Sequence, residues 1–148
     1  MLPVTDLTLS SEDFDIAIQV EIADEQSERA QGLMCRESIA PDTGMLFTYE
    51  TDRSNGFWMQ NTYVPIDILH IDSSGRVVDV LSMTPCLRDG LSDGDWQVKC
   101  ATEAAEYTPE SGWRYVLELP AGWLESNGIS NPITASTNVY WSEVSSDN

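Results

Sequence analysis

Asp67 stands inside "PIDILHID" (65–72), a stretch whose other side chains are nearly all apolar. Strand alternation puts Ile66, Ile68 and His70 on one face and Asp67, Leu69 and Ile71 on the other. Both faces are largely apolar, so the stretch reads as an interior strand. A carboxylate buried there must be paired or hydrogen-bonded, or it becomes protonated. The groups able to meet it are Arg36 of "GLMCR" and the Asn61–Thr62 pair just before the strand. A guanidinium grips a carboxylate through two bonds. Two readings follow. In one, a buried ion pair fixes the register of the fold. In the other, Arg36 and Asn61 meet a small molecule and Asp67 orients them. The second places "GFWMQNT" (56–62) at the mouth of a pocket, with Phe57 and Met59 on one face, Trp58 on the other and Thr62 at the strand end.

Other constellations are weaker. Asp89, Asp93 and Asp95 of "RDGLSDGDW" supply oxygen ligands of the kind calcium takes. Their spacing is not that of an EF-hand, and Asp-Gly turns need no ion. Met34, Met45 and Met59 are thioethers suited to Cu(I), but each sits in an apolar segment where Met fills gaps. His70 is the single imidazole; a lone His on an apolar strand reads as a core residue. No pair of carboxylates stands out as an acid and nucleophile couple, and no nucleophile elbow or phosphate loop is present. No cofactor is expected.

Charge bounds the partners. The 148 residues carry 25 acids against 7 Lys and Arg, a formal net charge of -18, with Lys99 the single lysine. The acids are spread along the chain, so they coat a folded body. Phosphate backbones and anionic membrane surfaces would be repelled, and no nucleic acid or membrane partner is expected. A small molecule or an envelope component remains, and the chain is expected to be a monomer. Lysine-poor acidity suits either a salt-adapted protein or an acidic secreted one. Surface repulsion predicts that the melting temperature rises between low and molar KCl, most steeply at the start, where screening changes fastest. A flat or falling melt series would refute strong surface repulsion.

Cys86 and Cys100 bracket an irregular polar segment. A bridge there would close a loop of about 15 residues and contribute roughly 3 kcal/mol. The other reading is two thiols in a reducing compartment; the bridge is the expectation, and an oxidising compartment with it. Cys35, after "GLM", reads as a small buried hydrophobe. The start, "MLPVTDLTLSSED", has no basic region or long apolar core and does not read as a signal peptide. An exported precursor would carry its signal ahead of this chain.

The elements that must position these residues follow from periodicity. "FDIAIQVEIAD" (14–24) alternates as a half-buried strand. Asp24 offers an N-cap for a short helix through "EQSERAQGLM" that ends near Gly32. "GMLFTYE" (44–50) and "GFWM" (56–59) read as strands joined by "TDRSN". "DSSG" between 65–72 and 76–83 is a hairpin turn with Gly75 at positive φ. Residues 84–112 read as a long loop. "WRYVLELP" (113–120) is a strand, "AGWLESNG" (121–128) a short helix and "PITASTNVYW" (132–141) a last strand. The sum is six or seven strands and two short helices: a β-dominated α+β domain, its antiparallel sheet curled into a small barrel. Residues 1–13 read as an N-terminal extension, 14–141 as a single domain and 142–148 as a frayed tail.

The ordered segments "RAQGLMCRESI" (29–39), "GMLFTYE", "FWMQNTYVPIDILHID" (57–72), "GRVVDV" (75–80), "PC" (85–86) with a later cysteine, and "RYVLELPAGWLESNGI" (114–129) are similar to the family called domain of unknown function 192. The resemblance implies a small, mainly β fold with short helices, paired cysteines, frequent export and no established reaction. This chain departs from the family pattern at Gln60, where a lysine is usual, at His70, where an aromatic or aliphatic residue is usual, and in a longer cysteine loop. The combined expectation is an exported binding or accessory module of the cell envelope, without catalysis. The alternatives are an enzyme of new type acting on a small molecule or surface carbohydrate, and a purely structural domain.

Overall fold

The computed structural model describes residues 2–142. Seven strands form one sheet: β1 (Val4–Ser10), β2 (Asp15–Ala23), β3 (Thr43–Arg53), β4 (Ile66–Ile71), β5 (Val77–Met83), β6 (Trp113–Pro120) and β7 (Asn138–Trp141). Their spatial order is β5-β4-β6-β3-β2-β1-β7. Three helices accompany them: α1 (Gln26–Gln31), α2 (Asp93–Ala104) and α3 (Trp123–Ser126). The domain is thus a β-dominated α+β fold.

The sheet is mixed and open, where an antiparallel sheet or barrel was expected. β2 and β3 pair in parallel, and every other pairing is antiparallel. A parallel pair needs a crossover too long for a hairpin, and the connection carrying α1 supplies it. The two edge strands meet at one bridge, Arg76 with Asn138. A single bridge does not make a closed barrel.

The expected N-terminal extension contains a strand. β1 pairs with both β2 and β7, and Leu7 and Leu9 are fully buried. "VTDLTLS" alternates, but Thr and Asp at its start disguise it. The last strand is shorter than expected, four residues from Asn138. The tail read as frayed, 142–148, lies outside the described residues apart from Ser142.

Two apolar layers cover the sheet. One gathers Leu7, Val20, Leu46, Leu69, Leu117 and Trp123. The other, on the opposite face, gathers Met45, Phe47, Ile66, Ile68, Trp113 and Val116. β4, β6 and β3 are therefore covered on both faces, and every residue of β4 is buried. The expected interior strand and its hairpin are present, with Gly75 at φ 92°.

The segment expected to be loop, 84–112, contains α2. Its N-cap is Ser92, whose hydroxyl accepts a hydrogen bond from the Asp95 amide (3.2 Å). Asp93 and Asp95 occupy the first turn, where carboxylates favour the helix dipole. Gly and Asp so close to the cap concealed the helix. Cys86 and Cys100 are bonded, with Cα atoms 5.7 Å apart. The bond fastens α2 to the irregular segment that follows β5. A Cys86→Ser/Cys100→Ser variant is expected to lose about 3 kcal/mol of stability. Urea unfolding of that variant beside the oxidised protein measures the loss, and equal midpoints would refute it.

Candidate functional site

The segment 54–62 is irregular, not the strand expected at 56–59. Gly56 explains part of this. A Cβ there would stand 2.8 Å from the Tyr107 carbonyl oxygen, so only glycine passes beneath the 3-10 turn at Ala105–Tyr107. Farther on, Asn61 has φ 61° and Cys35 φ 66°, and the Cys35 amide donates to the Asn61 carbonyl (2.7 Å). Asn tolerates left-handed backbone better than most residues. The polar residues before β4 are partly there to turn the chain. Cys35 itself is exposed, contrary to the expectation of burial; the turn that stitches it to Asn61 carries it outward.

The expected Arg36–Asp67 pair does not form. Arg36 grips Glu21 of β2 with two bonds (2.6 and 3.1 Å). Asp67 lies on the other side of the sheet from the cavity described below. It accepts from the Ser82 hydroxyl (2.9 Å) and from the Gly122 amide (3.0 Å). Gly122 is the N-cap of α3, so Asp67 ties β5 and the start of α3 to the central strands. That is an architectural role. Arg36 found a nearer carboxylate, and Asp67 found neutral donors on its own face.

The calcium reading also fails. Asp93 pairs with Arg88 and Asp89 with Lys99. Helix geometry commits Asp93 and Asp95 to α2, and no cluster of three or more His, Cys, Asp or Glu side chains able to hold a metal occurs among the described residues. Met45 and Met59 are core residues; Met34 lines the cavity.

Trp58 and Thr62 do meet at a concavity, of about 420 Å³. Its walls come from α1 and the following turn, β3, the 54–62 segment and α2. Four aromatic residues contribute: Phe47, Tyr49, Phe57 and Trp58. Phe47 and Phe57 meet edge to face at 5.2 Å, and Trp58 is 38% exposed at the mouth. Met59 is buried in the core while Phe57 and Trp58 both line the cavity, so the expected alternation of Phe57 and Met59 against Trp58 does not hold in this irregular segment.

On the sheet side of this cavity is Glu118, which sequence reasoning missed. It sits in the central strand β6, directly opposite Met45 on β3 and Ile68 on β4. Only 5% of it is exposed. Burial alone pushes its carboxyl up to about 8, with no hydrogen bond or neighbouring charge contributing. Glu118 is thus protonated at neutral pH. The signal for it was present in "YVLELP": a carboxylate in a two-sided apolar strand, the same anomaly that singled out Asp67. Among the cavity-lining residues it is the one carboxyl.

Arg29 is the cation of the cavity wall. Its Nη1 donates to the carbonyls of Asp24 (2.6 Å) and Thr48 (3.0 Å), and its guanidinium lies 4.6 Å from the Tyr49 ring centroid. Arg53 approaches the same ring at 5.1 Å. Burial raises the Tyr49 phenol despite both guanidinium groups. The Tyr49 hydroxyl is therefore a donor, not a base, at neutral pH.

Fold and site together define a small β-rich domain with an aromatic-walled cavity over one buried carboxyl. The family model for domain of unknown function 192, described as "Uncharacterized ACR", matches residues 7–133, and the chain belongs to that family. The UPF0127 protein PH1112 of Pyrococcus horikoshii is 30% identical over 113 residues, 73% of this chain and 77% of its own length. The UPF0127 protein PYRAB11210 of Pyrococcus abyssi is 32% identical over 111 residues, 70% and 81% of the two chains. Among solved structures, a protein of Sinorhizobium meliloti proposed as a transcription regulator aligns with TM-score 0.70 and 28% identity over 95% of both chains. A protein of unknown function from Novosphingobium aromaticivorans aligns with TM-score 0.71 and 23% identity, covering 95% of this chain and 86% of its own.

Proposed function

We propose that this chain is a small-molecule-binding module that works outside the cytoplasm and has no chemistry of its own. One observation carries the binding reading: Glu118 places a buried carboxyl on a cavity, and no group among the described residues hydrogen-bonds or pairs with it. Packing alone would favour an apolar residue at that position, since Met45 and Ile68 flank it. A concavity of this volume with apolar walls and few polar groups is the usual form of a ligand site. The Cys86–Cys100 bond and the acidic surface support an oxidising, extracytoplasmic setting.

Proton-transfer catalysis is the weaker reading. Glu118 has the raised pKa that keeps a general acid protonated at neutral pH. Yet a second titrating partner is needed, and Tyr49 is held protonated while Arg29 is held by carbonyls. Carbohydrate cleavage needs two carboxyls, and the cavity offers one. The regulatory role suggested for the Sinorhizobium protein is not carried over in a DNA-binding sense, because a net charge of -18 opposes a phosphate backbone.

Ligand-observed NMR with a library of small amphipathic molecules tests the proposal. At least one compound is expected to bind, and Trp58→Ala is expected to weaken it while leaving the melting temperature nearly unchanged. A library without hits, or hits indifferent to both Trp58→Ala and Thr62→Val, would overturn it.

A further inference from the structure

We infer that the cavity takes the cationic head of a small organic amine, with the Glu118 carboxylate as counter-ion and the aromatic rings of Phe47, Tyr49, Phe57 and Trp58 around it. The inference rests on the binding reading above and names its ligand class.

Three features of the site converge on a cation. The first is the acid itself. A lone carboxyl in the middle strand, between Met45 and Ile68, has no partner among the described residues. A ligand that carries a positive charge offsets the cost of ionising it; a neutral ligand only accepts its proton in a hydrogen bond. The second is the wall. Aromatic faces carry negative potential, and rings grouped about a buried site are the arrangement that holds alkylammonium groups. The third is the approach. A surface with net charge -18 concentrates cations near the mouth and speeds their arrival.

Arg29 is the feature that opposes a cation, and its placement limits that opposition. Its guanidinium is engaged by two carbonyls and by the Tyr49 ring. Burial, not a neighbouring charge, is what raises Glu118. The cationic head therefore belongs against β6, away from Arg29, and the tail of the ligand faces the rim.

The other groups around Glu118 do not titrate in its range. From β3 come Met45 and the Tyr49 phenol, which burial holds protonated. From β4 come Ile68 and, two positions along, His70, which is neutral because burial lowers it to about 4. From α1 comes Arg29. From the 54–62 segment come Phe57, Trp58 and Thr62, and from α2 Ala101 and Ala104. Glu103 of α2, with Oε2 buried and unpartnered, is not among the lining residues. Cation binding should thus expel one proton, from the Glu118 carboxyl to the buffer.

Choline tests this, because its charge does not change with pH. Its neutral isostere, 3,3-dimethylbutan-1-ol, has the same shape. Titration calorimetry of both, from about pH 6 to pH 8, is expected to show choline binding at least about tenfold tighter at pH 8. Its affinity should rise by up to about tenfold per pH unit below 8, with a proton released to the buffer, as linkage requires. Glu118→Gln should erase both the preference and the pH dependence. Should that variant fail to fold, Trp58→Ala serves in its place and should weaken choline several-fold with the pH slope intact. If the isostere binds as tightly as choline, and Trp58→Ala weakens both, the cation inference falls and the binding reading stands. If neither binds at millimolar concentration the inference is overturned, and the library screen decides the wider reading separately.

Discussion

Replacing Glu118 by Gln is expected to stabilise the protein by up to about 5 kcal/mol at pH 8 and above, and to change little at pH 4.5 and below. The size follows from a carboxyl raised from its ordinary 4.5 to about 8, at roughly 1.4 kcal/mol per unit. The sign follows from proton binding. Between those two values the folded state keeps the proton and the unfolded state has lost it. Stability is therefore unpenalised below 4.5, falls as pH rises, and levels off once the folded carboxyl ionises. Gln has the same shape and nothing to lose. Urea unfolding of both proteins at several pH values measures this. Molar KCl should be present throughout, because the -18 surface charge otherwise adds its own alkaline trend. Parallel stability curves would mean that Glu118 reaches water and titrates as an ordinary glutamate.

The opposite limb belongs to His70. Its ring is fully buried, lies 5.4 Å from the Trp113 ring, and neither nitrogen has a hydrogen-bond partner among the described residues. Burial lowers it from 6.5 to about 4, against a smaller pull from Asp79 across the hairpin. The folded state thus refuses a proton that the unfolded state takes below pH 6.5. Above 6.5 this costs nothing; between 6.5 and 4 stability falls with falling pH, by about 3 kcal/mol in all. His70→Phe should remove that share of acid sensitivity. It should also raise stability at neutral pH, since two unsatisfied ring nitrogens leave the core. Chemical denaturation at pH 4.5 and pH 7 compares the two proteins; an unchanged acid limb would show that the imidazole finds a partner. With both groups present, their slopes cancel between about pH 4.5 and 6.5, and the protein is expected to be least sensitive to pH there.

The sequence was most legible where periodicity was unbroken. β2, the β4–β5 hairpin and β6 stand close to where alternation put them, and Gly32 and Gly128 end their helices at positive φ. It was least legible where polar residues serve two purposes. Ser92, Asp93 and Asp95 look like turn residues and are the cap and first turn of α2. Thr5 and Asp6 look like a tail and belong to β1. A carboxylate in an apolar strand does mark something, but two such residues existed, on adjacent strands and opposite faces. Which of them meets the cavity depends on where α1, α2 and the 54–62 segment pack. That is a tertiary fact, and no spacing in the sequence encodes it. Trp58 and Thr62 were legible because they belong to the apolar stretch and its polar end just before β4; Phe47, Tyr49 and Arg29 were not, being ordinary strand and helix residues.

The pairing of β1 with β7 has a consequence for synthesis. Two strands at opposite ends of the chain lie side by side, and the Thr5 hydroxyl donates to the Ser142 carbonyl across 137 positions. A growing chain can pair β1 with β2 early, but the outer side of β1 waits for β7, the last strand among the described residues. Until then β1, whose Leu7 and Leu9 are fully buried in the finished fold, presents an open edge. A net charge of -18 opposes close approach of such unfinished copies, so the same repulsion that is expected to cost the native state stability would protect the nascent one.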